Sequence, residues 1–302
     1  MNVRYHLCDV FTDRPFGGNQ LAVVPEASGV PEPLLQRIAR EFNFSETVFV
    51  YPPSDPRHTR QVRIFTPQNE LRFAGHPTIG TAVTLAMSGL IPLTGDETRI
   101  VLEEGVGPVP VTVKKVNGVP SFAQLTAAER PSFNDVVPAP DVLAHLLSIE
   151  RTDLLNGPYR VRYASVGFPF LIVMVKDRSV LARLRPNTAV METTGLKEVF
   201  VAVPDAAAEG FHFRARMFAP LLGIPEDPAT GSAAAAFAGY LAAMDPRRSG
   251  TLRWNVEQGV EMGRPSALYL EADKQDGATT AVRVGGSAVM MGEGELSIRE
   301  IQ

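Results

Sequence analysis

The amino-acid sequence predicts an α+β protein of two similar domains, each a β-barrel-like curled sheet around one central helix. Three observations carry this. Short alternating or β-branched runs separated by turn residues dominate the 302-residue chain. Two helical stretches, 77–89 and 228–243, have no charged face, and a helix that is apolar or small on every side must be surrounded by protein or lipid. Blocks of the first half recur, in the same order, in the second.

Strands are expected at 3–11, 20–25, 46–51, 60–66, 98–103, 108–116 and 120–125, and again at 160–165, 170–176, 198–204, 211–219, 250–257, 266–271, 280–284 and 295–300. Asn117-Gly118 joins two of these runs, and both residue types tolerate the positive φ of a type I′ hairpin turn. Amphipathic helices are read at 31–42, where Leu34, Leu35, Ile38 and Phe42 share a face, and at 139–147. The stretch 126–138 is polar, broken by prolines and without period, which marks a domain boundary. The domains are therefore 1–126 and 127–302, the terminal strand being the one segment that can return to the first. The two uncharged helices are too short to span a bilayer, so strands wrap them. Pro77 and Pro228 are read as opening them, where a backbone N–H has no intrahelical partner anyway.

The repeat matches Pro77-Thr-Ile-Gly80-Thr81-Ala82 with Pro228-Ala-Thr-Gly231-Ser232-Ala233, and Arg63-x-Phe65-x-Pro67 with Arg216-x-Phe218-x-Pro220. It also matches Glu46-Thr-Val-Phe-Val50 with Lys197-Glu-Val-Phe-Val201. His76 thereby pairs with Asp227, and Glu46 with Lys197.

Composition narrows the function. Apolar residues make up 45% and charged residues 21%, ordinary for a globular protein. A net charge of −4 gives no reason to expect nucleic acid or an anionic membrane as partner. His6, His58, His76, His145, His212 and the single Cys8 lack zinc-ligand spacing, so no metal is expected. One cysteine allows no intrachain disulfide and suits a reducing cytosol. The alternating N-terminus is not a signal peptide, and no run is long and apolar enough for a transmembrane helix; a cytoplasmic location follows as an expectation. Gly105-Val-Gly107 lacks the third glycine and helix of a dinucleotide fingerprint. Phosphate-binding loops and hydrolase nucleophile elbows are missing too.

Several residues carry two readings. The N-termini of the central helices offer N–H groups and a partial positive charge to a carboxylate, in a cleft expected between the domains. His76 and Asp227 either specialise for function there or simply cap their helices. Ser232 and Thr81 are either ligands or structural hydroxyls. Glu46, which opens an apolar strand, is either an exposed strand-end carboxylate or an acid–base group. Asn19 follows Phe16-Gly17-Gly18, a turn signal.

The blocks Phe16-Gly-Gly-Asn19, Phe44-Ser-Glu46-Thr-Val-Phe-Val50, Phe65-Thr-Pro67, Phe73-Ala-Gly75-His76-Pro-Thr-Ile-Gly80 and Asp227-Pro-Ala-Thr-Gly231-Ser232-Ala resemble the signatures of the PhzF-like phenazine-biosynthesis isomerases. So do Glu257-Gln-Gly-Val-Glu-Met-Gly263-Arg264-Pro-Ser266 and Gly285-Gly-Ser-Ala-Val289, and the likeness runs nearly the whole length. The resemblance implies the diaminopimelate epimerase-like fold and a cofactor-independent isomerase, commonly a homodimer, acting on a small carboxylate-bearing substrate. It implies Glu46 as general acid–base, with His76 and Asp227 in the catalytic set. Asn19, Gly75, Gly231 and Ser232 become the substrate-binding positions.

Two departures stand out. The helix starts read Ala74-Gly75-His76 and Asp227-Pro228-Ala229, without the thiols of related two-base epimerases, and Gln20 stands where many relatives have proline. Alternatives on the same scaffold are an amino- or hydroxy-acid epimerase or racemase and a non-catalytic small-molecule binder.

Overall fold

The computed structural model describes residues 1–204 and 210–299. It is a mixed α+β, sheet-dominated protein that divides into two compact units, Met1–Thr126 with Gly285–Gln302, and Ala127–Val284. Among the described residues no helix is long and apolar enough to cross a membrane.

The first unit runs β1 (Asn2–Val10), β2 (Asn19–Val24), α1 (Glu32–Phe42), β3 (Glu46–Tyr51), β4 (Arg60–Phe65), β5 (Glu70–Leu71), α2 (Gly75–Met87), β6 (Glu97–Glu104), β7 (Gly107–Val116) and β8 (Val119–Thr126). Strand β1 pairs antiparallel with β2, β2 parallel with β3, and β3 antiparallel with β4. Strand β4 takes β5 antiparallel and β6 parallel, and β6, β7 and β8 form an antiparallel meander. Its hairpin turn is Asn117-Gly118, both at positive φ (52° and 81°). This turn type matches the twist of the flanking strands. On one face, Phe49 of β3 and Phe65 of β4 pack on Leu35, Ile38 and Ala39 of α1. The other face meets α2, in which every residue from Gly75 to Ala86 is buried.

The second unit contains β9 (Ser132–Asn134), α3 (Pro140–Leu147), β10 (Arg162–Ser165), β11 (Pro169–Met174), α4 (Arg178–Arg183), α5 (Thr188–Thr194), β12 (Val199–Pro204), β13 (Phe213–Ala219), β14 (Ile224–Asp227), α6 (Gly231–Met244), β15 (Gly250–Gln258), β16 (Ser266–Gln275) and the start of β17 (Ala278–Ser297), whose residues from Gly285 onward belong to the first unit. Its ladder repeats that of the first: β11 parallel to β12, β12 antiparallel to β13, and β13 flanked by β14 antiparallel and β15 parallel. Val199, Val201, Val203 and Phe218 pack toward α3, α4 and α5 through Leu143, Leu181 and Met191. Phe200 instead meets Phe237 of the buried α6, with ring centroids 5.3 Å apart.

Several sequence expectations change. Helix α2 begins at Gly75, so His76 lies inside its first turn. Helix α6 begins only at Gly231, so Pro228 sits in the preceding loop and does not open it. The strands expected at 280–284 and 295–300 are parts of one twenty-residue strand, β17; Glu300 lies outside the described residues. Gly292 and Gly294, between the two expected strands, stay in the ladder, Gly292 opposite Leu7 and Gly294 opposite Tyr5. The short helices α4 and α5 are additions to the sequence reading. Six and seven residues give too few turns for a period, but their caps are clear. Asp177 accepts from Val180 N at 2.9 Å and Asn187 from Val190 N at 3.3 Å.

Strand register also re-phases the repeat. Phe65 pairs with Thr47, and Ile64 with Leu71; Phe218 pairs with Val199, and Met217 with Asp227. With Phe65 set on Phe218, Thr47 therefore falls on Val199 and Leu71 on Asp227. One residue back, Glu46 falls on Glu198, not Lys197. Beyond Leu71 and Asp227, Gly75 falls on Gly231 and His76 on Ser232, the first two residues of each central helix. Face parity agrees, because side chains alternate along a strand. Phe49 points to α1 and Glu46 away from it; Val199 points to α3–α5 and Glu198 away from them.

Candidate active site

The site in the first unit is assembled at the start of α2. Gly18, at φ +62°, turns the chain into β2, and a Cβ there would lie 2.2 Å from the Val10 carbonyl oxygen. Asn19 then opens β2 at 2% exposure. Leu21 of β2 pairs with Glu46 at the head of β3, which brings Glu46 beside the Asn19-Gln20 backbone. His76, in the first turn of α2, completes the set. Glu46 is 8% exposed and His76 3%.

The distances fix a proton count. His76 Nε2 lies 3.3 Å from the Gln20 carbonyl oxygen, which can only accept, so Nε2 carries a hydrogen. Burial pushes the imidazole down to about 3, the Gln20 contact opposing weakly, so His76 is neutral and Nδ1 is its acceptor. Asn19 Nδ2 donates to Nδ1 across 3.3 Å. Glu46 Oε2 stands 3.2 Å from the same Nδ1. A carboxylate oxygen and a bare imidazole nitrogen repel at that range unless a proton lies between them. Burial favours its residence on Glu46, leaving two neutral groups, over a buried ion pair.

Two residues beyond His76 on α2, Thr78 contacts a residue the sequence reading overlooked. Thr78 Oγ1 is 2.7 Å from Ala74 O and 2.6 Å from Glu104 Oε1. The hydroxyl has one hydrogen for these two acceptors, so when Glu104 is protonated the carboxylic acid donates to Thr78 and the hydroxyl to the carbonyl. Burial, the dominant cause, pushes Glu104 up to about 8, against the lowering effect of Thr78. Its alternation with Ile100 and Leu102 on β6 was the available signal.

Asp227, Gly231 and Ser232 lie in the second unit. Thr230 Oγ1 donates to Asp227 Oδ2 at 2.5 Å. Gln258, the register counterpart of Glu104, donates to Asp227 O at 2.8 Å and to Thr230 Oγ1 at 3.1 Å. The loop before α6 is thus fixed by side chains. The first intrahelical bond of α6 runs from Ala234 N to Thr230 O at 2.9 Å, so the N–H groups of Gly231 and Ser232 precede the ladder. Thr81 is buried within α2. Cys8 is core: Thr84 Oγ1 donates to its sulfur at 3.5 Å, and burial pushes the thiol up to about 12. A cavity of about 380 Å³ in the first unit involves Met87 and Ser88 at the C-terminal end of α2, opposite His76.

A sheet-dominated scaffold with an uncharged, buried helix at the heart of each half carries a carboxylate–imidazole pair at the head of one, an arrangement suited to acid–base proton transfer. Residues 8–294 match the PhzC-PhzF family model, described as phenazine biosynthesis-like protein, and the chain belongs to that family. A Mesorhizobium japonicum protein named an uncharacterized isomerase is 39% identical, over 97% of this chain and 98% of that one. The trans-2,3-dihydro-3-hydroxyanthranilate isomerase of Pseudomonas aeruginosa is 33% identical, over 96% and 98%. The crystal structure of a Bacillus anthracis phenazine biosynthesis protein of the PhzF family superposes with a TM-score of 0.88, at 28% identity over 99% and 100% of the chains.

Proposed function

We propose that this isomerase works without a cofactor, moving a proton between carbon atoms of a small carboxylate-bearing substrate with Glu46 as general acid–base. The buried Glu46–His76 contact at 3.2 Å carries the reading. A carboxylate that alternates between base and acid takes a proton from one carbon and returns it to another on the same face. His76, held by Gln20 and Asn19, takes the resting Glu46 proton at Nδ1 as substrate binds, which frees the carboxylate to act as base, and returns it after Glu46 has reprotonated carbon. A positioned acid–base group of this kind contributes about 10²–10⁴-fold in rate.

Asn19, the Gly75 and Gly231 N–H groups and Ser232 bind the substrate in this reading, and Asp227 joins His76 in holding its amino or hydroxyl group. The compound for which the Pseudomonas aeruginosa relative is named bears carboxylate, amino and hydroxyl groups on an unsaturated ring, which is the chemistry these residues suit. The reading also takes each sheet as curling like a barrel around its helix, supported in the first unit by pairing of β17 with both β1 and β8. Cytoplasmic location and a homodimer complete it.

The test is hydrogen exchange. Wild type and Glu46→Gln are incubated in deuterated water with trans-2,3-dihydro-3-hydroxyanthranilate and a panel of small unsaturated amino and hydroxy acids. Mass spectrometry of the recovered compounds should show carbon-bound deuterium with wild type and at least a 100-fold loss with a folded Glu46→Gln protein. Equal incorporation by both removes Glu46 from the role.

A further inference from the structure

The second unit contains a hydrogen-bond relay that the mechanism above leaves unused, and it ends on Asp227. Gln258, the last residue of β15, is fully buried. Backbone groups fix which way its amide points. Nε2 lies 2.8 Å from the Asp227 carbonyl oxygen, which only accepts, and Oε1 lies 3.3 Å from the Thr230 N–H, which only donates. The second Nε2 hydrogen goes to Thr230 Oγ1 at 3.1 Å, and Thr230 passes its own hydrogen to Asp227 Oδ2 at 2.5 Å. Groups that receive as well as give polarise one another along such a chain. A carboxylate that accepts from a hydroxyl is favoured in its ionised form.

The demands of the scaffold do not account for this relay. Thr230 is the N-cap of α6, a position from which threonine commonly accepts from the first-turn N–H groups, yet its side chain makes no cap bond. Its hydroxyl is spent on Asp227 instead. In the first unit the register counterparts of Asp227, Thr230 and Gln258 are Leu71, Ala74 and Glu104. There Glu104 meets Thr78, inside the helix, and α2 starts with no such chain before it. The geometry points to Gln258 and Thr230 as positioning residues that hold the Asp227 carboxylate as a charged acceptor for an ammonium or hydroxyl group of the substrate. Both act through Asp227. The effect on substrate rests on the isomerase reading above; the relay does not.

Two measurements on the full chain test the halves separately. In nitrogen-15 NMR the Gln258 side-chain amide is identified by its loss in Gln258→Met. It should exchange its hydrogens with deuterated water at least about 100-fold more slowly than exposed glutamine amides, and Thr230→Val should speed that exchange about tenfold or more. Exchange as fast as in exposed glutamines, or unaltered by Thr230→Val, overturns the relay. With trans-2,3-dihydro-3-hydroxyanthranilate in the deuterium assay, Thr230→Val should raise KM roughly tenfold with kcat within about threefold. Thr230→Ser, which keeps the hydroxyl, should restore the wild-type KM. On an Asp227→Ala background, Thr230→Val should change KM no further, because residues acting through one group are not additive. A wild-type KM in Thr230→Val, or an equal rise on the Asp227→Ala background, overturns the positioning role while leaving Glu46 in place. Undiminished exchange in Glu46→Gln places the failure in the isomerase reading, and the amide measurement still decides the relay.

Discussion

One proton has to serve both Glu46 and His76, and that economy depends on Asn19. Its amide, 3.3 Å from Nδ1, sets the ring plane and marks Nδ1 as the acceptor. Asn19→Ala should lower kcat about 10- to 100-fold, because a freely turning imidazole meets Glu46 only part of the time, and raise KM as well, since Asn19 also binds the substrate in the proposed site; steady-state kinetics on the exchanging substrate reads both. Ser232→Ala should instead raise KM about tenfold or more with kcat kept, as a lost hydrogen bond to a charged group costs about 1.5–3 kcal/mol. Glu46, His76 and Asn19 were legible because their flanking blocks resemble a family, not because any spacing demanded them. Glu198, the register counterpart of Glu46, was hidden by a one-residue slip. The tripeptide identity of Val48-Phe-Val50 with Val199-Phe-Val201 outweighed face parity, and a slip of one exchanges the two faces of a strand.

At the scale of elements, the central helices were the most legible part, since a stretch with no polar face admits few other fates. Their starts were not. Proline suggested where each opens, but α2 takes Pro77 at its third position and α6 leaves Pro228 outside, because Asp227, Gln258 and Thr230 hold the loop in non-helical form. Residue size follows from being wrapped. A Cβ at Gly80 of α2 would lie 2.6 Å from both Leu21 Cδ2 and Val10 Cγ2, side chains of two different strands that are themselves fully buried. Gly80→Val gains at most about 1 kcal/mol in helix propensity. It crowds β1 and β2 at a cost of about 1–3 kcal/mol before the second methyl is counted. The variant should therefore unfold at lower urea concentration with an unchanged m-value. A midpoint equal to wild type would mean that the strands give way easily, and that α2 is held less tightly than its burial implies.

For the molecule as a whole, Glu104 links stability to pH in an unusual direction. Most carboxylates here that depart from ordinary values are lowered by arginine or backbone partners, as Asp245 is by Arg247, and such groups lose stability as pH falls. Glu104 is raised by burial, from 4.5 to about 8. Between those values the folded chain keeps a proton that the unfolded chain has released, so stability falls as pH rises, by about 1.4 kcal/mol per pH unit from this group. His76, lowered to about 3, works the other way, losing stability as pH falls below 6.5, and Glu198 works with Glu104. Comparing wild type with Glu104→Gln cancels both, since they are common to the two proteins. The amide is neutral at every pH and nearly isosteric, and it can still donate to Thr78. The difference in unfolding free energy should be small below pH 4.5. It should then grow in favour of the glutamine protein up to pH 8 and level off above. Urea denaturation at half-unit pH steps measures that curve. A difference independent of pH across the window would mean that Glu104 is ionised in the folded chain and that Thr78, not the glutamic acid, supplies the proton between them.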